Sequence, residues 1–158
     1  MIKLFGAVLI FLCGAALAHL LNGKARNMLA QVEGFIELVR RLRGEIDCFS
    51  MPIPVALASF SDDLFRKCGF GGSAKSVRTV EELVCGCEMF SSELADIMSG
   101  FALHVGRGYK SEQLALCDRT LERLEAYRLS LASELPAKQK TNGTLCLCGA
   151  LAVVILIV

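Results

Sequence analysis

Neither sign of charge predominates in this chain: 17 basic residues stand against 16 acidic ones, a net charge of +1, and the two signs are interspersed through the middle of the sequence. With no basic stripe or patch, the electrostatic footprint of a nucleic-acid binder is missing. Histidine is scarce, only His19 and His104, and the two lie far apart, so neither a metal site nor a Cys-His nucleophile pair has a motif behind it. The glycine-rich stretch Gly69-Phe70-Gly71-Gly72-Ser73 lacks the G-x-x-x-x-G-K-[ST] spacing of a phosphate loop and follows no strand, so it reads as a connection. Val, Ile and Thr never alternate with polar residues over a strand's length, and no sheet is predicted.

Cysteine is the one reactive residue in quantity. Of the eight, Cys13, Cys146 and Cys148 fall in hydrophobic terminal segments, and Cys48, Cys68, Cys85, Cys87 and Cys117 include a C-x-C pair but no C-x-x-C. In a reducing compartment most of them serve as small hydrophobes at apolar helix positions. Glu81 with Glu82, and Asp62 with Asp63, read as helix starts and solvated faces rather than acid-base pairs. His104, near a helix end, is placed to cap its carbonyls. The chain is therefore read as a non-enzyme with no cofactor and no metal.

What is abundant is hydrophobicity, 54% of residues with a mean hydropathy of +0.52, above the usual level for a single water-soluble domain of 158 residues. The excess sits at the two ends. Leu4–Leu21, broken only by His19, rises roughly 27 Å as a helix, close to the ~30 Å hydrocarbon core of a bilayer. Lys3 and the small-x-small Ala16-Leu17-Ala18 also fit a cleaved secretory signal, but Leu20, Leu21 and the basic exit Lys24 and Arg26 favour a retained anchor. Leu145–Val158 is shorter, about 21 Å, yet has no polar face, and Thr141 to Thr144 lengthen it toward Lys138 and Lys140. A core helix and a glycolipid-anchor signal are the competing readings. The expected organisation is a transmembrane helix over 2–22, a helical domain over 24–140 and a short transmembrane helix over 143–158. Both cationic flanks face the middle of the chain, against the single Lys3, which places residues of about 24 to 140 in the cytoplasm.

The middle is organised around Met28–Phe49. Met28, Val32, Phe35, Val39, Leu42, Ile46 and Phe49 recur at alternating steps of four and three, one stripe of an α-helix, and Leu29, Ile36 and Leu38 widen it beyond a coiled-coil seam toward a bundle. The opposite face carries Glu33, Glu37, Arg40, Arg41, Arg43, Glu45 and Asp47, with Glu37 and Arg41 in the favourable acidic-first order. Pro52 and Pro54 stop this helix. A second helix is predicted from Pro54 to Cys68, a third capped by Thr79 with Glu82 and running through Cys87 toward Phe90, and a fourth capped by Ser91 or Ser92 and ended at Gly106-Arg107-Gly108. Ser111 is predicted to cap a last long helix with the stripe Leu114, Cys117, Leu121, Leu124, Leu131 and Leu135, broken by Arg128 and ended or kinked at Pro136.

Taken in order, M-x-K-L-x-G-A, the hydrophobic segment, the basic exit, the long helix ending in Glu45-Ile46, Pro52 with Ala56, Phe101, Gly106, Gln113, the Leu121, Leu124, Glu125 pattern and the tail with Gly149 resemble the stage III sporulation protein AB family of endospore-forming bacteria. The resemblance covers essentially the whole chain. Departures are the lack of Trp, Asp47-Cys48 where an aromatic is common, and Pro136. The resemblance implies an all-α antiparallel helical bundle, GspF-like, flanked by N- and C-terminal transmembrane helices. It further implies a multi-pass protein of the mother-cell side, in the outer forespore membrane, working with other components of the channel between mother cell and forespore. By analogy with the platform proteins of secretion and pilus systems, it would dock and stimulate the secretion-type ATPase of the same operon. The expected contact residues are Glu37, Arg41 and Glu45, with Arg40 beside them; a merely solvated face is the plainer reading. An exported helical protein and a membrane-tethered scaffold that forms homo-oligomers are the alternatives.

Overall fold

In a computed structural model the backbone is described for residues 2–49 and 51–157, and side chains chiefly between residues 26 and 134. Among the described residues six α-helices follow in order: α1 (Ile2–Phe49), α2 (Ile53–Ser59), α3 (Asp62–Lys67), α4 (Val80–Gly86), α5 (Ser92–His104) and α6 (Lys110–Ile157). A single 3-10 turn occupies Ala74–Ser76. No strand occurs among the described residues; an isolated bridge joins Phe70 and Cys87. The chain divides into two compact units, Met28–Ser130 and a second made of Met1–Asn27 with Leu131–Val158.

Among the described residues no helix is long and apolar enough to cross a membrane. Nearly all side chains of the two expected spans, 2–22 and 143–158, lie outside the described residues, as does the surroundings of Pro136. The backbone of α6 nonetheless runs helical through position 136, so of the two expectations for Pro136, an end or a kink, the end is excluded.

In the Met28–Ser130 unit the expected α1 stripe forms the core. Val32, Phe35, Val39, Leu42 and Ile46 are buried, and Ile36 and Leu38 join them, so α1 is covered on a wide arc by several partners. Full burial of a Phe or Leu of this kind stabilises by roughly 1.5–3 kcal/mol relative to exposure. The stripe ends at Phe49, which is 69% exposed. Gly34 on α1 lets α3 approach: a Cβ there would stand 2.9 Å from the Lys67 carbonyl carbon.

Three local predictions need correction. The stretch from Pro54 to Cys68 is two helices, because Phe60 is extended (φ −79°, ψ 154°) and Ser61 opens α3 by accepting from the Leu64 N–H at 3.4 Å. The helix after Thr79 has the expected capping box but stops at Gly86, where Cys87 turns extended, well short of Phe90. Ser111 is not a cap: α6 starts at Lys110, and Glu112 accepts from the Tyr109 N–H at 3.0 Å. Ser91 does cap α5, and its hydroxyl also meets the Tyr127 hydroxyl at 2.6 Å.

The buried seam of α6 also differs from the apolar series. It runs through Gln113, Cys117, Thr120, Leu124 and Tyr127, again at steps of four and three, while Leu114, Leu121 and Leu131 are half-buried. Arg128 had interrupted the expected series because the true seam passes one position earlier, through Tyr127. Two of its members are polar, and each satisfies its hydrogen bonds locally: Thr120 donates to the Leu116 carbonyl at 2.8 Å, and Gln113 bonds the turn that precedes α6.

Gln31 is the polar keystone of α1, 1% exposed. Its Nε2 donates to the carbonyls of Cys68 at 2.9 Å and Glu88 at 2.7 Å, and its Oε1 accepts from the Phe90 N–H at 3.1 Å. One side chain thus supplies partners for backbone groups of two connections that no helix or sheet could satisfy. Gly69, at φ +90°, makes the turn between those partners, and a Cβ there would fall 2.6 Å from Gln31 Nε2.

Candidate partner-binding surfaces

Among the described residues three ion pairs join α1 to α6: Arg40 with Glu125, Arg43 with Asp118, and Asp47 with Lys110. The numbers rise on one helix as they fall on the other, so within this unit α1 and α6 are antiparallel. The unit therefore receives and releases the chain at one end, at Met28 and Ser130.

The four residues expected to meet a partner do not act as one cluster. Glu37 and Arg41 pair at 2.6 Å along the helix, as their spacing predicts, and Glu37 also reaches Lys67 of α3 at 3.6 Å. Arg40 is turned toward α6, 3.1 Å from Glu125. Glu45 is half-buried and, with Arg41, Cys48, Phe49 and Phe60, lines a shallow hollow of about 360 Å³. Glu37, Arg41 and Glu45 thus share a face toward α2 and α3, and Arg40 lies apart. These pairs are exposed, so solvent screening leaves them little weight in stability.

A larger feature escaped the sequence. A groove of about 540 Å³ is bounded by the end of α1, the Met51–Pro54 turn, the start of α4, and the connection from α5 to α6. Ile46, Ile53, Val80, Ala102 and Val105 supply its apolar surface, and Arg78, Glu81, Arg107 and Lys110 its charge. Its members come from four separated stretches, and no local motif announces them. Gln113 holds one wall: Oε1 accepts from the Gly106 N–H at 2.7 Å, and Nε2 donates to the carbonyls of His104 and Arg107.

Of the residues weighed for chemistry, Glu82, Asp62, Asp63 and His104 are occupied in local structure. Glu82 completes the capping box on Thr79. Asp62 and Asp63 lie in the first turn of α3, where Asp62 accepts from the Ser73 hydroxyl and Asp63 pairs with Arg66 and Lys67. His104 Nδ1 meets the Gly100 carbonyl at 2.9 Å in the last turn of α5, the capping position expected. Cys68 and Cys117 are buried, as the small-hydrophobe reading predicts, but Cys48 and Cys85 are exposed. Burial pushes the Cys117 thiol up to about 11 and the half-buried Cys87 thiol up to about 12, and raises Cys68 further. Among the described residues no group of three His, Cys, Asp or Glu is placed to hold a metal ion.

Among the described residues these features define an all-helical protein whose exposed surface carries ion pairs, free thiols and open hollows, the groove at the end of α1 among them. The chain belongs to the stage III sporulation protein AB family, whose sequence model matches residues 3–158, and so has a role in sporulation. No curated protein and no solved structure matches it.

Proposed function

We propose that this protein is a non-catalytic membrane platform of the sporulation channel between mother cell and forespore, and that its helical domain docks and stimulates a secretion-type ATPase. The observation that carries this reading is the antiparallel pairing of α1 and α6, which brings both chain exits to one end of the Met28–Ser130 unit. A body leashed at one end to two hydrophobic segments suits two spans of a single membrane, over 2–22 and 143–158, with residues 24–140 on the side of the basic flanks. The membrane is then the outer forespore membrane, with the body in the mother-cell cytoplasm. Glu37, Arg41 and Glu45 are the contact residues of the α1 face in this reading, with Arg40 at its edge. Other channel components and further copies of the chain are the remaining partners.

The test is the rate of nucleotide hydrolysis by the cognate ATPase with and without the full chain in nanodiscs. Stimulation and a stable complex are expected. An unchanged rate with no complex overturns the reading, and hydrolysis by the chain alone overturns its non-catalytic part. Topology is read separately at exposed Cys85: an impermeant maleimide should label it only after the cells are opened.

A further inference from the structure

Arginines 40, 41, 43 and 66 each face a carboxylate within the unit, at 2.6 to 3.7 Å. The guanidinium groups of Arg78 and Arg107, on the rim of the groove, make no ion pair among the described residues, although the Arg78 backbone N–H donates to Glu82 Oε2 at 2.8 Å. Lys110 on the same rim is partly neutralised by Asp47, at 3.6 Å, and the groove's own acidic residue is Glu81. Of the charged residues that line the groove, three are cationic and one, Glu81, is acidic, around a floor of Ile46, Ile53, Val80 and Val105, while Glu82 and Glu112 are engaged by the backbone N–H groups of Arg78 and Tyr109. Tyr109, between rim residues Gly108 and Lys110, is 80% exposed. Exposed Tyr and Arg beside an apolar floor are the residue types that dominate binding energy at protein interfaces. Pro52 and Pro54 stiffen one wall and Gln113 ties another, so the groove is preformed and little ordering entropy opposes binding.

We propose that this groove, rather than the α1 face alone, is the main docking site for the ATPase, and that it takes an acidic, aliphatic segment of that protein. The inference rests on the platform reading above and adds the surface and the chemistry of the segment. Aliphatic side chains of the segment cover the groove floor, and its carboxylates pair with Arg78 and Arg107, each guanidinium offering a two-pronged geometry to a carboxylate. The site lies within the Met28–Ser130 unit at the end away from Met28 and Ser130: Ile46 stands roughly 27 Å of helix rise beyond Met28. A large partner therefore reaches it without crowding the chain exits.

The test compares binding of the cognate ATPase to the full chain in nanodiscs and to charge variants. R78E/R107E should weaken binding at least tenfold and flatten its salt dependence, R78Q/R107Q should weaken it less, and R78K/R107K least. The charge-matched R66E/R123E, on exposed residues outside the groove, should change it less than twofold. Circular dichroism melts matching the wild type establish that the exposed substitutions leave the fold intact; if R78E/R107E melts early, R78Q/R107Q decides. Equal loss in both glutamate pairs means bulk charge and overturns the groove. Wild-type-like binding by R78E/R107E also overturns the groove while leaving the platform reading standing. Failure of the wild type to bind removes both. Self-association of the wild type that disappears in R78E/R107E makes a second copy the occupant and overturns the proposal.

Discussion

Arg43 Nε donates to Asp118 Oδ1 at 2.6 Å and its Nη2 to Oδ2 at 3.2 Å, a two-pronged bond that fixes the register of α1 against α6. The hydrogen bond from Arg43 holds the Asp118 carboxyl below the usual carboxylate range, and the same bond raises Arg43. Because the folded value of Asp118 is lowered, the stabilisation is present at neutral pH and disappears as pH falls from about 3.9 through that lower value. Carbon-detected titration should give Asp118 a midpoint below the usual carboxylate range. Both groups are solvent-exposed, so D118N should lower the melting temperature only slightly, and added salt should erase the difference.

Replacing Gln31 with Leu removes the partners of two carbonyls and one amide while keeping a similar volume in the core. An unmet buried polar group costs about 1–3 kcal/mol, and partial access of water to Glu88 and Phe90 softens the sum, so a loss of roughly 2–4 kcal/mol is expected. Thermal unfolding of the full chain measures it. Amide exchange at Phe90 should accelerate beyond what global destabilisation explains, whereas a purely hydrophobic role for position 31 would leave stability unchanged.

Gly34→Ala should destabilise by about 1–3 kcal/mol although alanine is the better helix former, since the added methyl meets Lys67 and Cys68 backbone near 3 Å. Gly44→Ala on the same helix meets nothing within 4 Å and should be neutral or stabilising. The contrast between the two, read from melting curves, separates crowding from helix propensity.

Cysteine reactivity should follow burial. In the folded chain at pH 8, an alkylating reagent should modify Cys48 and Cys85 quickly and spare Cys68 and Cys117, as read by mass spectrometry of peptides. For Cys117, raised to about 11, the sign runs the other way from Asp118. Its contribution is complete below the unfolded thiol value of about 8.5 and is lost as pH rises through 11, so C117A should narrow the alkaline loss of stability between those limits.

Residue spacing alone determined the α1 stripe, the Glu37–Arg41 pair, the Thr79 cap, a serine cap on α5 at Ser91 or Ser92, the stop at Pro52 and the all-helical class. Each of these is a short-range consequence of helical periodicity or of one missing amide, and a helix carries such rules wherever it is placed. The positions of Gln31, Gln113 and Thr120 were decided only by the tertiary structure. Gln31 is core material because the backbone groups that satisfy it arrive from 37 to 59 residues away, whereas Gln113 and Thr120 bond backbone groups only four to nine residues away and are buried by the packing of α6. The α6 seam shares Cys117 and Leu124 with the apolar series but takes Gln113, Thr120 and Tyr127 one residue earlier than Leu114, Leu121 and Arg128, because two of its members do not look apolar. Likewise Arg43 lies on the charged face that periodicity predicts, but its partner 75 residues on could be chosen only by packing two helices side by side. The groove rimmed by Arg78 and Arg107 exists because four distant stretches converge, and convergence is a property of the folded chain.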